Sequence, residues 1–188
     1  MLNPASPLAR LLQAPMRPGV VTWIGLRPQR HEPLQAAATA LLDPLEGLAG
    51  DHYKSRTSRS RQVTLIQSEH VAAIASHLGW ERVDPALLRR NIVVRGINLL
   101  ALKGARFKLG TAVLEATGEC HPCSRMEKIF GPGGYNAIRG HGGITARIVS
   151  QGAVHIGDAI MRLDLATPDL AGLEPGDRQQ GSRGRIAS

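Results

Sequence analysis

Only two cysteines, Cys120 and Cys123, occur in the 188 residues. Two thiols cannot hold a cysteine-only iron–sulfur cluster, which takes four thiolates. They also argue against a disulfide-rich secreted scaffold. Aromatic residues are scarce, at 3% (2 Trp, 2 Tyr and 2 Phe), so aliphatic side chains must build any core. Readers of single-stranded nucleic acid stack bases on aromatic platforms. The scattered aromatics form none, and nucleic acid is not expected as a partner. No run reaches the roughly 20 apolar residues of a membrane span. Met1 to Pro18 holds three earlier prolines and no continuous apolar core, unlike a signal peptide. No membrane association is expected, and a reducing cytoplasm is the default compartment.

Acidic residues are outnumbered, 15 Asp and Glu against 23 Lys and Arg, for a net charge of +8 and a pI near 10.5. Such a surface suits a phosphate-bearing small molecule, although most of these charges are expected simply to be solvated. Hydrophobic residues make up 43%, enough for a core in one domain of this length. The expected organisation is a flexible arm over 1–18, a single domain over 19–165 and a disordered tail over 166–188 rich in Pro, Gly, Asp, Gln and Arg.

Within the domain, short strands separated by glycine turns dominate. Val20–Leu26 is the clearest, rich in β-formers and ended by Pro28. Others are expected around Ala37–Leu41, Arg61–Ile66, Ile92–Arg95, Ala112–Ala116, Ile144–Val149 and Ala159–Leu165. A helix is expected after Ser68 as N-cap, with Val71, Ile74, Ala75 and Leu78 on one face and Gly79 as its stop. Asp84-Pro85 opens a second short one by the same logic. Gly47–Arg61 is polar and reads as an exposed loop. Two glycine clusters, Gly131–Gly134 and Gly140–Gly143, predict backbone in close approach or positive φ, at Gly133 and Gly142 in particular. Many short strands and few short helices give a mostly β, closed sheet.

The chemistry centres on Thr117–Phe130. Pro122 suits the first turn of a helix, and Met126, Ile129 and Phe130 follow at helical spacing. Cys123 is then expected inside that first turn, among free N–H groups and near Arg125 and Lys128, a setting that favours thiolate. Cys120 falls before the helix. Taken alone, the C-x-x-C pattern leaves a thiol–disulfide oxidoreductase open, and Cys120, Cys123, His121 and His141 supply ligand types for zinc. A buried, inert cysteine and a non-enzymatic binding module are the plainer alternatives.

The cysteine segment resembles that of the MOSC family, named for the C-terminal domain of molybdenum-cofactor sulfurase. Gly50-Asp51-His52-Tyr53, Arg61–Gln67, Arg90–Gly96, Gly140–Ile144 and Gly157-Asp158 resemble the family's other blocks, in the same order. The likeness spans roughly Gly19 to Leu163. It departs at Arg89-Arg90-Asn91, where some relatives carry Gly-Glu-Asn. The resemblance implies a closed β-barrel that binds the molybdenum cofactor, with Cys123 as the metal ligand. It implies phosphate and pterin contacts from Arg61, Arg90, Arg139, Arg147, Asn91 and the Gly142 loop, with Asp51 and His52 at the pocket mouth. The implied activity is reduction of N-hydroxylated small molecules. Electrons would come from a separate donor protein, since no flavin or haem motif is present. The alternative it implies is a sulfur carrier with a Cys123 persulfide, loaded by a separate cysteine desulfurase. Lys54, Lys103, Lys108 and Lys128 offer no setting for a pyridoxal Schiff base of the chain's own.

Overall fold

The computed structural model describes residue 3 and residues 6–30, 32–53 and 58–163. The tail, with Lys54 and Arg56 of the polar loop, lies outside the described residues. Seven strands close into a barrel in the order β11 (Ala159–Arg162), β7 (Arg106–Leu109), β8 (Ala112–Glu119), β9 (Ile144–Ser150), β5 (Val63–Gln67), β6 (Ile92–Arg95) and β1 (Gly19–Leu26). The seam joins β1 to β11 through Gly19↔Ile160 and Val20↔Ala159. Neighbours are antiparallel except β5 and β6, which are parallel. The closed β-barrel expected from the resemblance is thus the fold.

Its interior is aliphatic, as the composition requires. Val21, Leu65, Ile92, Leu114, Ala146 and Ile160 are buried there, with Phe107 the one aromatic in this cluster. Burying each large side chain contributes about 1.5–3 kcal/mol. β2 (Gln35–Ala37) extends β1 at one edge. β3 (Thr39–Asp43), β4 (Gly47–Leu48) and β10 (Gly152–His155) form a small second sheet. The sequence reading missed β10, because Gly152, Ala153 and His155 carry no β-forming pattern. It also stopped β8 at Ala116. The strand runs on to Glu119 because Gly118 and Glu119 pair with Thr145 and Ile144 after a register shift.

A parallel pair cannot be joined by a tight turn. The β5–β6 connection therefore crosses outside the barrel through α2 (Ser68–Leu78) and α3 (Pro85–Leu88). Ile66 and Val93, pointing outward from β5 and β6, meet Ile74, Leu88, Met126 and Ile138 in a second core. That core seats α4 (Ser124–Phe130) and α5 (Gly134–Ile138). Gly79 ends α2 at φ 69, as expected, and Asp84 caps α3 through the Ala86 N–H. Ser68 is not the N-cap of α2. β5 runs straight into the helix, so Gln67 takes that position while its side chain accepts the Leu99 N–H at 3.1 Å. In the N-terminal stretch read as an arm, α1 (Pro7–Leu12) is capped by Ser6. Its Leu12 carbonyl accepts from Arg162 at 3.0 Å.

Candidate functional site

The cysteine segment leaves the end of β8 and lies against the start of β9. Cys120 is buried, and its N–H donates to Gly143 O at 2.8 Å. Cys123 is exposed. The expected helical start at Pro122 is corrected: Pro122 is buried outside the helix and Cys123 is the N-cap, with φ −132 and ψ 174. The helix α4 begins one residue after the thiol. Cys123 still borders the unpaired N–H groups of the first turn, and its carbonyl accepts from Met126 at 2.8 Å. Of the two cysteines, Cys120 is buried and Cys123 exposed.

Arg90 fastens this segment. It is 6% exposed and its guanidinium donates to three backbone carbonyls: Gly142 at 2.7 Å, Leu88 at 2.8 Å and Cys120 at 3.0 Å. Burial pushes its pKa down, and the Cys120 thiol opposes that. Gly142 is needed for a different reason from the one expected. It does not hold positive φ; a Cβ there would collide with the Cys120 carbonyl. Gly143, at φ 80, holds the left-handed conformation, with the Leu65 carbonyl where its Cβ would be. Gly133 does have positive φ, 93.

Beside the segment opens a cavity of about 230 Å³ whose lining includes Arg27, Asp51, Tyr53, Arg61, Arg89 and Asn91. The polar loop is less exposed than its composition predicts, because Asp51 is buried. Its Oδ2 accepts from the Arg27 N–H at 3.1 Å and from Asn91 Nδ2 at 3.0 Å, and its Oδ1 accepts from the Tyr53 N–H at 2.9 Å. The Asn91 oxygen accepts from the Thr64 N–H and hydroxyl, at 3.1 and 2.8 Å. Four chain segments are thereby locked at one point. His52 approaches Arg27 Nη2 through Nδ1 at 3.2 Å. Arg61 Nη2 lies 3.7 Å from Cys120 Sγ.

The cavity is basic. Burial, followed by the charges of Arg27 and Arg125, pushes the Arg89 pKa down, while Cys123 and Asp51 act the other way. Arg89 adopts φ 60 at the end of α3, which turns the chain into β6. Arg27 Nε is buried without a hydrogen-bond partner. An unpaired buried donor is costly.

Of the candidates from the sequence, Asp51, Arg61 and Asn91 line the cavity, His52 and Gly142 adjoin it or the cysteine segment, and Arg90 supports it from behind. Arg139 and Arg147 do not line it. Arg139 is exposed after α5. Arg147 points out of the barrel, between buried Ala146 and Ile148, and pairs with Glu115 at 2.8 Å. Sequence reasoning missed Arg27, Arg89 and Tyr53. The Arg89-Arg90 doublet was a usable signal, whereas nothing around Arg27 marks it. Among the described residues, no group of three or more His, Cys, Asp or Glu is arranged to hold a metal, which leaves the zinc reading of Cys120, Cys123, His121 and His141 without support.

The architecture defines a closed barrel with a thiol segment and a basic cavity between its strand ends. The family model for the MOSC domain matches residues 52–161, and the chain belongs to that family. Solved structures share the fold. The YuaD protein of Bacillus subtilis is 21% identical, with a TM-score of 0.68 over 77% of this chain and 94% of that one. YiiM of Geobacillus stearothermophilus is 16% identical, with a TM-score of 0.64 over 78% and 75%. YiiM of Escherichia coli is 17% identical, with a TM-score of 0.60 over 78% and 71%. A search of curated proteins gives no match.

Proposed function

We propose that the protein binds the molybdenum cofactor, with Cys123 as the thiolate ligand, and reduces N-hydroxylated small molecules. The observation that carries this reading is an exposed thiol within electrostatic reach of a cavity lined by Arg27, Arg61 and Arg89. The donor set fits the group: a soft thiolate for the metal, and guanidinium forks for a terminal phosphate. When bound, the cofactor would supply a metal able to cycle between two oxidation levels and take an oxygen atom from the substrate. Arg27, Arg61 and Arg89 would offset its negative charge. Asp51 orients Arg27 through its backbone and guanidinium, the latter at 3.9 Å. Asn91 has its oxygen filled by Thr64 and its amide nitrogen engaged by Asp51 and Gly25, so it positions the cavity wall instead of contacting the pterin. Arg90 is a positioning residue, since its three bonds go to the protein itself. Among the described residues no helix is long and apolar enough to cross a membrane. Electrons would come from a separate donor protein.

Exposure of Cys123 also favours a second reading, a carrier of persulfide sulfur loaded by a separate desulfurase. One experiment separates the two. Protein made in a host competent for cofactor synthesis is analysed for molybdenum, released pterin and intact mass. Molybdenum with pterin, lost in Cys123→Ser and kept in Cys120→Ser, is the expected result. A sulfur-sized mass increase without molybdenum would replace the first reading with the second. Neither signal in the folded wild type would remove both.

A further inference from the structure

Three histidines that take no part in the arginine cavity meet where α2 packs on the glycine loop. His70 and His77 lie two turns apart on α2, and His141 belongs to the loop over 140–143. The His70 and His141 rings stand edge to face, 4.8 Å apart at 88°, and His77 lies 5.0 Å from His141. His77 Nδ1 is tied to Ala137 O at 3.1 Å. Nδ1 of His70 and Nδ1 of His141 are both buried without a hydrogen-bond partner. The nearby charged and titratable groups are few. Glu69, on the same helix, is engaged by the Gly96 N–H at 2.8 Å. Glu119, Cys120 and His121 share with His70 a small cleft beside the cysteine segment, and Arg139 leads into the loop.

A neutral imidazole needs only one donor, so its other nitrogen can stay bare. Protonation changes that. Each ring would then carry a buried N–H with no acceptor, beside a second cation about 5 Å away in a poorly screened site. Only separation of the loop from α2 lets water reach them. The loop has little slack, because Gly143 lies directly against the Leu65 carbonyl. Its two carbonyls hold the site: Gly142 O accepts from Arg90, and Gly143 O accepts from the Cys120 N–H.

We propose that His70 and His141 form an acid-released latch. Neutral, the cluster fastens the glycine loop to α2. Once protonated, it lets the loop lift and loosens the cysteine segment. The latch stands whether or not Cys123 binds a metal. The sign agrees with the local electrostatics: burial, then the His141 ring, hold the His70 pKa below its ordinary 6.5, against opposing contributions from Glu69 and the His141 backbone. A lowered imidazole value means the latch is intact at neutral pH and is lost as pH falls from 6.5 through the lowered value.

The test reads the buried thiol. In the full chain carrying Cys123→Ser, maleimide labelling of Cys120 is followed at pH 7.5 and at pH 5.5. Each rate is divided by that of the urea-unfolded protein at the same pH, which removes the thiol's own ionisation. Protection is expected to fall at least tenfold on acidification. His70→Phe keeps a ring in place but takes no proton and removes the second cation beside His141, so the loss of protection there should be at least threefold smaller. Constant protection in the parent, or the same tenfold loss in His70→Phe, would overturn the latch. Should His70→Phe fail to fold, an NMR titration of the unsubstituted chain decides. His70 titrating at its ordinary value, with the Cys120 amide signal unmoved, would equally overturn it. Low-pH titration that moves that amide supports it.

Discussion

Replacing Arg90 by methionine preserves most of its volume and removes every donor. Three carbonyls then lose their partner, on Gly142, Leu88 and Cys120, all of them buried residues. Hydrogen bonds to a charged group contribute about 1.5–3 kcal/mol each. The gross sum is reduced by the desolvation that Arg90 itself no longer suffers, an effect visible in its lowered pKa. Leaving a buried carbonyl unpaired costs about 1–3 kcal/mol, and for three of them, after that reduction, a loss of about 3–5 kcal/mol is expected here. For a chain of this length each kcal/mol moves Tm by about 2–4 °C, so the drop should be about 6–20 °C. Arg90→Lys keeps the charge but cannot reach all three carbonyls, so it should recover no more than about half of that loss. Urea midpoints and thermal scans of both variants provide the measurement. A loss under about 1 kcal/mol in Arg90→Met would refute the reasoning and return Arg90 to the role of a direct cofactor contact.

Other perturbations follow from the same geometry. Gly143→Ala meets both positive φ and the Leu65 carbonyl, so it should destabilise well beyond Gly131→Ala, which has φ 81 but open space; equal urea midpoints would contradict this. For Glu69, burial raises the pKa, but bonds from the Gly96 N–H, its own N–H and Ser68 prevail and lower it below 4.5. Its stabilisation is present above pH 4.5 and lost as pH falls through the lowered value. Glu69→Gln should therefore flatten stability between pH 5 and 3, and an unchanged slope would assign that region to other groups. Truncation after Leu165 should leave Tm nearly unchanged, on composition alone; a large drop would extend the domain beyond 19–165.

The sequence made the barrel legible where side-chain pattern and pairing agree. Val20–Leu26 and Ile144–Val149 show it, since β-formers are dense there and Val21, Ile24, Ile144 and Ile148 are buried in the barrel core. It failed where pairing alone makes the strand, as in β10 and the Gly118–Glu119 end of β8. The site followed the same division. Cys123, Asp51 and Arg61 could be named from motifs. Arg27 could not, because it reaches the cavity by lying next to Asp51 across 24 residues of chain, a proximity that only tertiary structure creates. Arg147 was a reasonable choice by residue type, yet strand alternation turns it outward to Glu115. The helix start at Pro122 erred because proline's fit to a first turn is a local preference, and α4 starts at Ser124 with Cys123 as its N-cap.

The seam of the barrel has a consequence for how the chain folds. Gly19 and Val20 pair with Ile160 and Ala159, so the ring closes only across about 140 residues. Contacts this distant in sequence are slow to form. During synthesis β1 emerges early and waits, with one edge unpaired, until β11 leaves the ribosome. The unclosed sheet offers that edge to other chains in the interval. The danger is limited by brevity, since the seam spans two residue pairs and β2 already occupies the other end of the same edge, from Ile24 to Leu26. The same seam brings residues 19 and 160 side by side. A circular permutant that links them and opens the Gly104 turn would turn the last contact to form into one of the first.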